Sequence, residues 1–235
     1  RRTIPNSPTM KRIFYAALLA VASLLAGIPA AAQHFTCAQY ETDAKRWQDI
    51  EQLFKRQGWS QWALAVKDAF PLNNDRSIQY RYVLSSDVPC SQKRLTELVQ
   101  KWITLEHPNV LPLPADQTVD LKVQTLWDNV AHSYRVFSAA YVSAKSETFV
   151  EFKENRLRIT VTVSRYVMGA ANPFQVNSDT PLVGDCYPFD LNGKWKNVMA
   201  MAYINSNQKA LDQVASLLNY LNRHAAAPAK SDKDW

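Results

Sequence analysis

Two neighbouring segments of alternating apolar and polar residues constrain the fold of this chain most. The first holds Thr148, Val150 and Phe152 at every second position, and the second is apolar at every second position from Leu157 to Val163. Because side chains alternate between the two faces of a strand, each segment predicts a strand with one buried face. Lys153 to Arg156 is a connection of turn length, so the two strands are predicted to pair as an antiparallel hairpin.

The segments around this hairpin predict further strands and two amphipathic helices. Arg76 to Ser85 alternates in the same way, and three or four strands are predicted between Val119 and Met168. Single apolar stripes predict helices over Ser91 to Leu105 and over Ser206 to Arg223. We therefore predict an α+β fold, with an antiparallel sheet of four or five strands and both helices packed on one face.

Residues before this region predict a helical pair. Apolar residues recur at three- and four-residue steps from Gln39 to Phe70, and Gly58 stands where the first helix would end. Asn73 to Asp75 mark a break. The predicted organisation is a helical pair over 37–72, an α+β domain over 76–224, and a small polar tail over 225–235 that is too poor in apolar residues to pack.

The first 32 residues predict a leader that directs export. From Met10, basic Lys11 and Arg12 precede an apolar run from Ile13 to Ala26, and small residues follow at 30–32. This order is typical of a signal peptide, with cleavage after Ala32. The apolar run is about half of the ~20 residues that a permanent anchor needs, so no transmembrane anchor is predicted in the mature chain. The predicted location is the periplasm or the secreted space.

The charge of the chain comes largely from this leader. The whole sequence carries a net charge of +6, but four basic residues lie in the leader, so the mature chain has 23 basic against 21 acidic residues. Glu147, Glu151 and Glu154 also lie among the basic residues of the hairpin. Because duplex binding needs concentrated positive charge, we predict that the mature chain does not bind nucleic acid.

Three cysteines, Cys37, Cys90 and Cys186, follow the leader. An exported chain can form disulfides, but an odd number leaves at least one cysteine outside any bridge within the chain. Because Cys37 lies near a terminus, a bridge between Cys90 and Cys186 is the favoured pairing. No C-x-x-C pair is present, which argues against a zinc knuckle or a thioredoxin-like site.

From about Arg76 to the end, the chain resembles a bacterial domain of unknown function with a TBP-like fold, found in secreted proteins of anaerobic Gram-negative bacteria. The matching segments are SQKRLTELVQKWI, EFKENRLRITVTVSRY, YPFD at 187–190, INSNQKALDQVASLLNYLN and the terminal DW. The family pattern usually has Gly or Asp where this chain has Asn155, and it lacks the two Trp-rich helices before Asp75. The resemblance implies a helix-on-sheet fold and an envelope location, and it brings no catalytic residues.

The sequence contains none of the common catalytic or phosphate-binding motifs, so no catalytic, cofactor or metal site is predicted. A nucleophilic pair of Cys90 and His132 is the sharpest enzyme hypothesis, although only the two residue types support it. Asp185, Asp190 and Asn192 beside Gly193 resemble a calcium loop only faintly, because the alternation of ligands is missing. Asn192-Gly193 is more simply a tight turn.

Two functions from different classes remain open. The favoured one is a non-enzymatic module that binds a protein, peptide or glycan through a sheet face, which predicts a surface patch of aromatic side chains such as Tyr134, Tyr141 and Tyr166. The alternative is a hydrolase or thiol enzyme of unrecognised type. That alternative predicts a deep pocket in which titratable groups converge.

Overall fold

In the computed structural model of the chain, residues 35–107, 120–135, 138–170, 180–186 and 196–225 are described. The predicted leader and residues 226–235 of the predicted tail lie outside them. The helices are α1 (Ala38–Phe54), α2 (Trp59–Ala69), α3 (Gln92–Glu106) and α4 (Lys196–His224). The strands are β1 (Phe35–Thr36), β2 (Ile78–Ser86), β3 (Leu121–Arg135), β4 (Ser138–Lys153) and β5 (Arg156–Ala170).

The strands form one five-stranded sheet in the order β1-β2-β5-β4-β3, and every neighbouring pair is antiparallel. The alternation read from the sequence decides which face is buried. Ile78, Tyr80, Tyr82 and Leu84 of β2 are at most 6% exposed, as are the apolar residues of β5 from Leu157 to Val163. The predicted α+β fold with an antiparallel sheet is confirmed.

Helices α3 and α4 contact each other and pack on the same face of the sheet. Ser91 is the N-cap of α3, since its Oγ accepts a hydrogen bond from the Arg94 N–H at 3.2 Å. Trp102 is 1% exposed, and its indole Nε1 donates to Ser216 Oγ of α4 at 3.1 Å. The prediction that both helices cover one face is therefore confirmed.

The predicted helical pair is also present. A short 3-10 turn over Lys55–Gln57 follows α1, and Gly58 separates it from α2 with a φ of 96°, which favours glycine. Helix α2 packs against α4, so the buried faces of the pair join the same apolar core as the sheet.

The predicted start of the last helix at Ser206 is wrong, because α4 begins ten residues earlier at Lys196. A run of Asn and Ser resembles an N-cap in the sequence, but here these residues lie in the middle of a buried helix. Asn205 Nδ2 donates to the Val130 carbonyl at 2.6 Å, and Asn207 Nδ2 donates to the Tyr203 carbonyl at 2.8 Å. These side chains satisfy buried polar groups instead of ending the helix.

Strand β1 was not predicted, because two residues are too short to show any alternation. Phe35 is 1% exposed and is held by two hydrogen bonds to one side chain. Its backbone N–H donates to Asn222 Oδ1 at 2.6 Å, and Asn222 Nδ2 donates to the Phe35 carbonyl at 3.1 Å. The side chain of Asn222 thus ties the start of the described chain to the end of α4.

The hairpin turn depends on Asn155, whose φ of 61° is left-handed. Its Oδ1 also accepts a hydrogen bond from the Cys90 N–H at 2.8 Å. Asn155→Ala should lower the free energy of unfolding by about 1–3 kcal/mol, because alanine is strained in this conformation and the hydrogen bond is lost. Asn155→Gly removes only the hydrogen bond and should cost less. Chemical denaturation of both variants checks this, and equal losses would contradict a role for the left-handed backbone.

Within the described residues, no helix combines the length and hydrophobicity needed to cross a membrane.

Candidate functional site

One edge of strand β2 has no strand beside it over most of its length. On one side, Ile78 to Ser85 pairs with β5 without a break in register. On the other side, β1 covers only Ser85 and Ser86. Within the described residues, the stretch from Ile78 to Leu84 is therefore a free sheet edge.

The hydrogen-bond pattern shows which backbone groups this edge presents. The Ser86 N–H donates to the Asn155 carbonyl at 2.8 Å, which sets the alternation along β2. Even-numbered residues of β2 therefore bond to β5, and the N–H and C=O groups of Gln79, Arg81 and Val83 point away from it. No described group hydrogen bonds to these outward-facing backbone groups. Such a row of unpaired groups is a template for another strand.

A cleft of about 170 Å³ runs along this edge, and we call it the β2 cleft. Its floor is β2 from Ile78 to Tyr82, and its walls come from three helical segments. The wall residues are Gln39 and Asp43 of α1, Ala69 to Pro71 at the end of α2, and Asn207 of α4.

Local sequence places β2 against these walls. Phe70 and Pro71 end α2, and a turn over 73–76 reverses the chain, closed by a hydrogen bond from the Arg76 N–H to the Asn73 carbonyl at 2.8 Å. Asp75 Oδ1 accepts from the backbone N–H of Ser77 at 2.9 Å and also from its hydroxyl. The hydroxyl bond is the main reason why the pKa of Asp75 lies below its usual value. This turn brings the chain directly into β2.

Two tyrosines of β2 hold fixed polar contacts at the cleft. Tyr82 donates its hydroxyl to Asp43 Oδ2 at 2.8 Å, and Tyr80 donates its hydroxyl to Asn207 Oδ1 at 2.9 Å. Burial raises the pKa of both phenols well above the usual range, and the Asp43 carboxylate adds to this effect at Tyr82. Both tyrosines therefore remain neutral hydrogen-bond donors at physiological pH.

Asp43 is the acidic group of the cleft. Its side chain is half-buried, and Oδ2 is occupied by Tyr82. No ion pair of Asp43 is present in the described part of the chain. Arg46, one helical turn away, donates instead to the Ala69 carbonyl at 3.3 Å and lies over the ring of Phe70. The cleft thus offers a carboxylate that this arginine does not neutralise.

The size and chemistry of the cleft differ from those of a pocket for a small molecule. Such pockets usually measure about 300–1,000 Å³, and this cleft is about 170 Å³. Among its lining residues, Asp43 and the two neutral tyrosines place titratable side chains on the helix side, and the side chain of Arg81 projects to the other face of the sheet. The deep pocket with converging acid and base groups that the enzyme hypothesis predicts is not formed here.

Cys90 and His132, the pair suggested for thiol chemistry, lie far apart in the structure. Cys90 lies at the hairpin end of the sheet, where its carbonyl accepts from the Asn155 N–H at 3.0 Å. His132 pairs with Tyr141, which pairs with Gly169 near the far end of β5. Thirteen residues of β5 lie between these ends, or roughly 40 Å. Cys90 and His132 therefore cannot act together.

The favoured disulfide between Cys90 and Cys186 is also not formed, and none of the three cysteines is bridged. Cys186 ends a short turn that joins β5 through a bridge between Leu182 and Arg165. It thus lies about ten residues, or roughly 30 Å, along β5 from Asn155, the neighbour of Cys90. A disulfide requires Cα atoms within about 7 Å of each other.

The predicted aromatic patch does not form as proposed. Tyr166 is completely buried beneath the helices, because a bulge in the pairing of β4 with β5 shifts it to the core face. Tyr141 is half-buried, and the side chain of Tyr134 lies outside the described residues.

Of the suggested calcium loop, Asp185 forms an ion pair with Arg76 at 2.9 Å, and the other positions lie outside the described residues. Within the described residues, no three His, Cys, Asp or Glu side chains are grouped so that they could hold a metal ion.

His107 belongs to a separate polar contact at the end of α3. Its Nε2 lies 3.2 Å from Nε2 of Gln213, and the same amide donates to Thr148 Oγ1 at 2.8 Å. Burial lowers the pKa of His107, and the nearby Glu106 opposes this effect. The neutral form of the imidazole is therefore favoured. Its contact with Gln213 joins α3 to α4, and Gln213 in turn bonds to the sheet.

The face of the sheet opposite the helices is charged with both signs. Glu147 pairs with Lys122 at 2.8 Å, and Glu151 pairs with Arg158 through two hydrogen bonds. Exposure and register place the following charged residues on this face: Arg81, Lys122, Lys145, Lys153, Arg156, Arg158 and Arg165, with Asp120, Asp128, Glu147 and Glu151.

Because acidic residues are interspersed with the basic ones on this face, we expect residues 33–235 not to bind DNA specifically. At about 50 mM salt their affinity should be no tighter than the non-specific range of roughly 10⁻⁴–10⁻⁶ M. Fluorescence anisotropy with a labelled duplex measures this. Submicromolar binding that weakens steeply with salt would contradict the expectation.

The β2 cleft could not be predicted from the sequence. Gln39 and Asp43 resemble the solvated side of an amphipathic helix, and the strand order that leaves β2 at an open edge depends on long-range pairing. Apolar and polar residues alternate along β2 without a break. This alternation predicts a strand, but it does not indicate which strands lie beside it.

The chain is similar in structure to two solved proteins. No family model and no curated protein matches the chain. One structure is a TBP-like protein from Parabacteroides distasonis, with 13% identity, a TM-score of 0.42, and coverage of 63% of this chain and 96% of that chain. The other is a DUF4468 family protein from Bacteroides ovatus, with 13% identity, a TM-score of 0.41, and coverage of 63% and 90%. Similarities of this size say nothing about a functional site.

Proposed function

We propose that this protein is an exported, non-enzymatic binding module that captures an extended polypeptide segment as an additional strand on β2. The observation that supports this is the row of outward-facing N–H and C=O groups of Gln79, Arg81 and Val83 beside the β2 cleft. An extended peptide supplies matching groups, and its alternate side chains can enter a cleft along the edge.

The spacing of these groups favours a polypeptide over a glycan. Outward-facing residues of a strand recur every two residues, or about 6.6–6.8 Å, which is the repeat of another extended backbone. A sugar chain lacks this regular alternation of amide donors and carbonyl acceptors. Aromatic rings that could stack on sugars are turned inward, since Tyr80 and Tyr82 are at most 6% exposed.

The opposite edge of the sheet, strand β3, is less suited to strand addition. Its register shifts between Trp127 and Ala131, and Asn129 within this bulge has a left-handed φ of 52°. Bulges at sheet edges twist the strand and interrupt the template for pairing. Strand β2 pairs with regular register from Ile78 to Ser85.

The leader pattern from Met10 to Ala32 supports export, and N-terminal sequencing of protein recovered from a bacterial periplasm tests it. A new N-terminus at Gln33 is expected. Recovery of an uncleaved chain from the cytoplasm would contradict export.

A phage-displayed library of random 12-residue peptides, selected on immobilised residues 33–235, tests the binding function. We expect recovered peptides to compete with one another for a single site. Unrelated periplasmic protein on the same support gives the background. Failure to enrich any peptide above that background would contradict the proposal.

A further inference from the structure

Two charges flank the free edge of β2 on opposite faces of the sheet. The Asp43 carboxylate lies on the helix side, hydrogen bonded to the Tyr82 hydroxyl. Arg81 is the neighbouring residue along β2, so its exposed side chain points to the other face. Neither Asp43 nor Arg81 has an ion pair in the described part of the chain. A segment paired with β2 would therefore meet a negative charge on one face and a positive charge on the other.

We propose that the bound segment carries a lysine or arginine that pairs with Asp43, next to an aspartate or glutamate that pairs with Arg81. The proposal rests on strand addition at β2. Cross-strand neighbours have Cβ atoms about 4.5–5.5 Å apart, and adjacent residues of the added strand face opposite sides. Residues opposite Tyr82 and Arg81 are therefore adjacent in the ligand, and complementary charges require one basic and one acidic side chain.

The cleft should favour the basic residue of the bound segment, opposite Asp43, more strongly than the acidic residue opposite Arg81. Asp43 is half-buried, whereas Arg81 is exposed, and its charge helps to lower the pKa of Glu151 on the same open face. Charge pairs shielded from water contribute more than exposed pairs. The basic residue opposite Asp43 should consequently be the more strongly selected of the two.

Parallel selections of the 12-residue library on the wild-type chain and on Asp43→Asn test this inference. Asparagine keeps an acceptor for the Tyr82 hydroxyl and nearly the same volume, while it removes the charge. Wild-type selections should enrich Lys or Arg at one position with Asp or Glu beside it, and the basic preference should disappear with Asp43→Asn. Asp49→Asn, at an exposed position of the same helix, is the matched control and should leave the preference unchanged.

A second measurement does not depend on the folding of any variant. In one selected peptide, norleucine replaces the enriched lysine, and affinity for the wild-type chain should fall by about tenfold. Unchanged affinity would overturn the inference. If selected peptides bind and slow amide exchange along the β2 edge but show no preference for Lys or Arg, this inference fails and strand addition stands. If no peptide binds, both proposals are contradicted.

Discussion

Replacing Trp102 with alanine should lower the free energy of unfolding by about 3–5 kcal/mol, as expected for a buried aromatic side chain. Trp102 is 1% exposed at the contact of α3 with α4. Its loss leaves a cavity in the core, and it also removes the donor for Ser216 Oγ. The remaining Ser216 hydroxyl still donates to Glu106 Oε1 at 2.6 Å, so the cavity should account for most of the loss.

Leu105→Ala provides the matched control on the same helix. Leu105 is 69% exposed, so its truncation should change stability by no more than about 0.5 kcal/mol. Urea denaturation followed by circular dichroism measures both variants. A loss below about 1 kcal/mol for Trp102→Ala would mean that this side chain does not support the core.

Replacing Arg81 with proline should weaken binding of library-selected peptides by on the order of a hundredfold, about 2.7 kcal/mol. Proline removes the outward-facing N–H, and its ring occupies the space that a pairing carbonyl would enter. Because this N–H points away from β5, the existing sheet keeps its hydrogen bonds. Proline is tolerated at such positions of edge strands.

Arg81→Ala separates the backbone from the side chain. Alanine keeps the N–H, so it should weaken peptide binding much less than proline does. Isothermal titration with the same peptide measures both variants, and thermal unfolding checks that each is folded. Equal affinities of the proline and alanine variants would contradict strand addition at this edge.

Much of the sheet and both packed helices could be predicted from the sequence, because their signals are local. The alternation of β2 and the turn at Asn155 each depend on a few consecutive residues. The start of α4 was misplaced since Asn205 and Ser206 have the composition of a cap, and only the sheet beneath them shows that they are interior. Whether a polar residue ends a helix or bonds across it is decided by tertiary contacts.

The candidate site was not predictable in the same way. Its defining property is the absence of a neighbour along β2, which follows from the order of all five strands. Asp43 gains its significance only when Tyr82, 39 positions away, donates a hydrogen bond to it. Sequence alternation indicates which side of a strand is buried, but it does not indicate which edge stays open.

Amide hydrogen exchange along β2, measured residue by residue by NMR, tests strand addition most directly. In the free chain, the N–H groups of Gln79, Arg81 and Val83 should exchange rapidly, and those of Tyr80 and Tyr82 should be protected by β5. A selected peptide at about 100 times its Kd should slow the three outward-facing amides by up to about a hundredfold. If that peptide binds and leaves these three rates unchanged, the account of β2 as the binding edge is contradicted.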